Sequence, residues 1–160
     1  MGWQMSNADL QDFLRAQQAL PAVEPSISAS DIRRLERAMS ATGQCVDLPV
    51  KHYFTAGLYA RELSIPAGTT LTGRTHRFEN LNILSQGELS VLVDGRIERL
   101  RAPVTLISPP GTKRVAYAHS DCIWITLHGT DLTDVDQIEH AMLLPEPTAH
   151  LTPPVTERII

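Results

Sequence analysis

Between Gly57 and Gly129 no stretch runs far before a turn-forming residue interrupts it, and this punctuation limits what the chain can fold into. The stretch divides into GLYARELSIP, AGTTLTGRTHRFE, NLNILSQG, ELSVLVDG, RIERLRA, PVTLISPPG, TKRVAYAHSD and CIWITLHG. Leu89, Val91 and Val93 alternate with Glu88 and Ser90, and Ile123, Ile125 and Leu127 alternate with Cys122, Trp124 and Thr126. A period of two puts successive side chains on opposite faces, as in a half-buried strand. The interruptions have turn chemistry. Asp94-Gly95 suits a two-residue hairpin in which both positions need a positive φ. Pro109-Pro110-Gly111 fixes φ twice and then releases it, and Gln86-Gly87 makes another tight corner. Short strands joined in this way predict a mainly β barrel or sandwich.

The flanks read differently. Ser6, with Asp9 three residues on, is a candidate helix N-cap ahead of the apolar stripe Leu10, Phe13 and Leu14. Pro21 and Pro25 end that helix. A second helix is expected from Ser28 or Ser30, with Ile32, Leu35 and Met39 on one face, Arg33, Arg34, Glu36 and Arg37 on a solvated one, and Gly43 as its stop. A last helix is expected from Thr133 to Met142, capped by Thr133, with Asp134 and Asp136 in its positive first turn and Val135, Ile138 and Met142 inward. From Pro145 to Ile160 four prolines exclude regular helix or central strand, which leaves an extended tail. The expected organisation is a helical arm over 1–46, a barrel over 47–130, and a short helix with a proline-rich tail over 131–160.

A chain of 160 residues holds one core comfortably, and 42% hydrophobic with 20% charged residues is ordinary for a globular protein. A net charge of −4 and the lack of a dense Lys/Arg stripe argue against nucleic acid as a partner. No apolar run approaches the roughly 20 residues of a membrane helix. MGWQMSNADL has neither the basic nor the apolar region of a secretion signal, so synthesis in the cytoplasm is expected. Cys45 and Cys122 are far apart in sequence and are expected to be reduced, Cys122 as core packing. There is no Gly-rich phosphate loop after a strand, no serine elbow, and no cysteine beside a histidine.

The pieces PAGTTLTGRTHRFENLNILSQG and PPGTKRVAYAHSD resemble the two sequence motifs of the cupins, small jelly-roll barrels that usually carry a metal inside. The resemblance covers about Asp47 to Leu143. The segment from Gly111 to Leu143 is similar to the end of small cupin-like proteins of tailed bacteriophages and prophages. A catalytic cupin supplies three histidines and a glutamate, donors suited to a transition metal with open coordination positions. Carried onto this chain, those positions fall on Arg74, His76, Asn80 and Arg114, with Glu79 one residue out of register. Arginine keeps its proton and has no lone pair to give. Sliding Glu79 into place would turn the strand's other residues to the wrong face. His119 and His128 read more simply as a solvated loop residue and a satisfied strand-end residue. The expectation is therefore a barrel without metal or other cofactor.

Arg74, His76, Asn80, Asn82 and Arg114 are left as polar groups facing the interior. They read either as a hydrogen-bond network holding the strands, with Glu79, Glu62 or a terminal carboxylate balancing the arginines, or as a pocket for a small anion. Three functions follow as expectations. The foremost is a non-catalytic bacteriophage assembly or virion protein that contacts itself and other virion proteins. Its arms, anchored by Trp3, Ile159 and Ile160, would then cross subunit boundaries. The second is a small-anion binding protein using Arg74, His76, Asn80 and Arg114. The third is a metal-dependent cupin enzyme.

Overall fold

The computed structural model describes residues 27–43, 46–93 and 95–146. The helix expected from Ser6, the anchors Trp3, Ile159 and Ile160, Cys45, Asp94 and the tail from Pro147 lie outside the described residues. The nine strands are β1 (Val50–Thr55), β2 (Leu58–Ile65), β3 (Thr70–Thr72), β4 (Asn80–Gln86), β5 (Glu88–Val93), β6 (Arg96–Arg101), β7 (Val104–Ser108), β8 (Val115–Ala118) and β9 (Cys122–Gly129). Helices α1 (Ala29–Ala41) and α2 (Val135–Met142) flank them.

The pairing is nested. β5 pairs β6, β4 pairs β7, β3 pairs β8 and β2 pairs β9, all antiparallel. This is one long hairpin rolled up, and two further pairings, β4 with β9 and β5 with β8, lock the roll. The result is a five-stranded sheet in the order β1-β2-β9-β4-β7 facing a four-stranded sheet in the order β3-β8-β5-β6, which is a jelly roll. The first strand of the larger sheet, β1, precedes the stretch from Gly57 on which the sequence pattern rests.

Leu63, Ile65, Leu84 and Cys122 from one sheet meet Leu89, Val91 and Ala118 from the other to form the core. Leu89 and Val91 thus point inward, as their alternation predicts. In β9 Cys122, Trp124, Thr126 and His128 face the interior, with Cys122 in the core as expected, and the more apolar Ile123, Ile125 and Leu127 face outward. Alternation specifies two faces but does not say which is buried; the cross-strand registers decide it. Gly87, between β4 and β5, has φ 88°, and a Cβ there would collide with the Asp121 carbonyl and Cys122.

Ser28 caps α1 in a capping box with Asp31, whose carboxylate accepts from the Ser28 N–H at 3.1 Å. Ile32 is buried, and with Leu35 it lies along the outer face of the four-stranded sheet beside Leu92, Ile97 and Tyr117. The cap of α2 is Asp134, not Thr133: its carboxylate accepts from the Gln137 N–H at 2.9 Å, and the cap sits one residue later than expected. The buried Ile138 of α2 lines the barrel interior.

Candidate functional site: the barrel interior

The interior faces of the strands grade from apolar to polar along the barrel axis. In β2 the sequence runs from Ile65 and Leu63 to Arg61 and Tyr59, in β9 from Cys122 and Trp124 to Thr126 and His128, and in β4 from Leu84 to Asn82 and Asn80. The registers align these ends. His52, Arg61, Thr126 and Asn82 stand side by side across β1, β2, β9 and β4, and Phe54, Tyr59 and His128 form the next row. A cavity of about 480 Å³ therefore has an apolar floor and a polar belt near its mouth.

Arg74, His76, Asn80 and Arg114 all line this cavity, but their commitments differ. Asn82 is the hub of a satisfied network. Its amide donates to Asn80 Oδ1 at 2.7 Å and Ser108 Oγ at 2.8 Å, and its carbonyl accepts from Trp124 Nε1 at 3.2 Å and Thr126 Oγ1 at 2.8 Å. Arg114 donates to Ser108 Oγ through Nε and Nη2 and to the Leu92 carbonyl through Nη1 at 3.2 Å. Asn80, Asn82 and Arg114 thus tie β4, β7 and β9 to β5 and the start of β8. Arg74 pairs with Glu139 of α2 at 2.8 Å, so the balancing carboxylate is Glu139 and not Glu79 or Glu62. Glu79 is exposed, and Glu62 pairs with Lys51 at 3.0 Å.

His76 stacks on His128 with ring centroids 5.0 Å apart, and His128 stacks in turn on Tyr59 at 6.4 Å. Tyr59 bonds His52 Nδ1 through its hydroxyl at 2.7 Å. His128 is buried and cavity-lining, so it is no ordinary strand-end residue. His119, by contrast, is exposed and bonds Ser90 Oγ at 2.8 Å. Burial, then the proximity of His128 and of the Arg61, Arg114 and Arg74 guanidinium groups, pushes the His76 pKa down to about 4, so its ring is neutral at pH 7. Its Nδ1 is buried with no hydrogen-bond partner among the described residues. A buried polar atom without a partner is costly, and a ligand atom or water would remove that cost.

The sequence reading missed Arg61. It projects from the middle of β2 into the cavity, and among the described residues its guanidinium makes no hydrogen bond or ion pair. The signal was there: Tyr59, Leu63 and Ile65 are inward at a period of two, and Arg61 falls in the same phase. An arginine on a buried phase needs an acceptor.

Metal chemistry does not fit these residues. Of the four cupin ligand positions only His76 offers an imidazole or carboxylate, and the ring stacked on it is a second imidazole, His128. Among the described residues no three His, Cys, Asp or Glu side chains come together to hold an ion. The guanidinium groups of Arg61, Arg74 and Arg114 around His76 would repel a divalent cation.

No protein-family model and no curated protein matches this sequence. Solved structures similar to part of it include KdgF from a Halomonas species, at 22% identity over 59% of this chain and 90% of that one, with a TM-score of 0.48. An RmlC-like cupin from Shewanella frigidimarina is similar at 24% identity over 56% and 80% of the two chains, TM-score 0.47. A cupin superfamily protein from Desulfitobacterium hafniense is similar at 13% identity over 53% and 79%, TM-score 0.45. The jelly roll stands on its own strand registers, and these likenesses assign no role to any residue.

Proposed function

We propose that the barrel is a binding module whose interior takes one small carboxylate- or phosphate-bearing molecule. The observation that supports this is Arg61, a cavity-lining guanidinium without an acceptor among the described residues, set one row from His128, on whose ring His76 stacks with its Nδ1 unpartnered. A guanidinium offers a planar fork of donors that fits a carboxylate or phosphate with two hydrogen bonds. Neutral His76 adds one further donor or acceptor, and the apolar floor of Leu63, Ile65, Leu89 and Val91 takes the rest of the ligand. Asn82 and Arg114 act behind them by holding the strands in register. In this reading Arg74 and Glu139 stand at the mouth, where the exposed ion pair contributes little stability and exchanges readily. Calorimetric titration of the full chain with acetate, benzoate and inorganic phosphate tests the proposal. Saturable binding of one molecule per chain is expected for at least one of them. Arg61→Gln is expected to weaken it tenfold or more at unchanged melting temperature. No binding by the wild type, or equal binding by the variant, contradicts the reading.

A second reading keeps the expected role as a non-catalytic component of a bacteriophage virion, in contact with itself and other virion proteins. The observation that favours it is the apolar outer face of the five-stranded sheet, which suits a protein contact. Mass spectrometry of purified particles tests it, and absence of the protein from particles that package normally counts against it.

A further inference from the structure

The registers that align the polar ends of the strands also order the whole interior into rows across the larger sheet. Beneath the row of His52, Arg61, Thr126 and Asn82 comes a row of Val50, Leu63, Trp124 and Leu84, and beneath that Ile65 and Cys122. From the smaller sheet Leu71, Leu89, Val91 and Ala116 line the same cavity. Same-face residues of one strand lie ~6.8 Å apart, so apolar side chains continue inward from Arg61 for roughly 14 Å.

We infer, resting on the anion-binding reading, that the ligand is a monocarboxylate with an unsubstituted hydrocarbon body, its carboxylate on Arg61 and its tail directed into the barrel. Charge selects the head. Arg74 is paired with Glu139, and Arg114 is held by Ser108 and the Leu92 carbonyl. Arg61 is left as the cavity arginine that makes no hydrogen bond or ion pair among the described residues. One guanidinium fork matches the two oxygens of a carboxylate, whereas a phosphate brings a further oxygen and up to a second charge. Hydrogen bonding selects the body. Asn82 donates to Asn80 and Ser108 and accepts from Trp124 and Thr126, which fills its valences from within the protein. Ser108 Oγ accepts from Arg114 as well as from Asn82. A hydroxylated chain would set its hydroxyls against groups already engaged, or against Leu63 and Val91, and would give up its water without replacement. A hydrocarbon body has no such loss and gains by burial. The order of the rows sets the direction, with the head at the polar end and the tail on the apolar floor.

Calorimetric titration of the full chain with acetate, butyrate, hexanoate, octanoate, gluconate and inorganic phosphate tests the inference. Affinity is expected to rise about fourfold for each methylene added between butyrate and octanoate. Gluconate, the hexanoate chain bearing hydroxyls, is expected to bind about tenfold more weakly than hexanoate, or worse. Leu71→Trp adds bulk at a half-buried, cavity-lining position of β3. It is expected to weaken octanoate about tenfold or more and to leave acetate unchanged, with the melting curve as the check on its fold. Octanoate no tighter than butyrate overturns the inference, as does gluconate equal to hexanoate, or phosphate tighter than octanoate. So does a folded Leu71→Trp variant that binds octanoate as the wild type does. In each of these cases the anion-binding reading stands, provided that acetate or phosphate still binds and Arg61→Gln weakens it. Failure of every one of these anions to bind removes both.

Discussion

Arg61 and Arg114 show how one residue type takes two roles within a single cavity. Arg114 is spent on Ser108 Oγ and the Leu92 carbonyl, whereas Arg61 has no acceptor among the described residues. Arg114→Ala is therefore expected to destabilise by about 1–3 kcal/mol in a denaturant titration, because it strands part of the network built on Asn82. Arg61→Ala is expected to leave stability nearly unchanged. His76 adds a pH dependence. Its pKa is about 4 in the fold against 6.5 for a free side chain, so folding excludes a proton between those values. Stability is then complete above about pH 6.5 and falls as pH drops toward 4, where the loss levels off. Between pH 7 and pH 5 the expected loss is roughly 1 kcal/mol, less than the whole shift would give because water reaches part of the ring. His128, also depressed by burial, acts in the same direction, so His76→Phe is expected to flatten the slope without abolishing it. At this scale the sequence disclosed His76, Asn80 and Arg114 through the cupin-like motifs. It hid Arg61, which belongs to no motif and shows only as a charge on an inward phase.

The strands were legible because turn residues bracket them, and the eight pieces cut from Gly57 to Gly129 map onto β2 to β9. What the pattern left open was the buried side of β9. Its outward Ile123, Ile125 and Leu127 are more apolar than the inward Thr126 and His128, the opposite of what burial alone suggests. One demand accounts for the inward side: the interior carries polar groups, Thr126 and His128, at the polar end of the cavity. β1 escaped the pattern because its residues carry little alternation, VKHYFT. The glycine between β4 and β5 was legible as a corner, and its role is stricter than that. Gly87→Ala would impose a left-handed φ on an L residue and drive a methyl into the Asp121 carbonyl and Cys122. It is expected to lower the melting temperature by several degrees, corresponding to more than about 1 kcal/mol.

For the molecule as a whole, the two readings of its function draw on opposite sides of one sheet. The inner face of β1, β2, β9 and β4 presents the polar belt to the cavity, and the outer face of the same strands carries Tyr53, Leu58, Leu127 and Leu81. A variant on either face is expected to spare the other. The central claim is that Arg61 is the open anion receptor and Arg114 a committed structural group. Side-chain arginine NMR tests it most directly, following the Nε–Hε resonances of the full chain as a small carboxylate is added. The account expects the Arg61 resonance to shift saturably while Arg114 stays in place. A resonance shift confined to Arg114, or equal unsaturable drift of all the arginines, would contradict it.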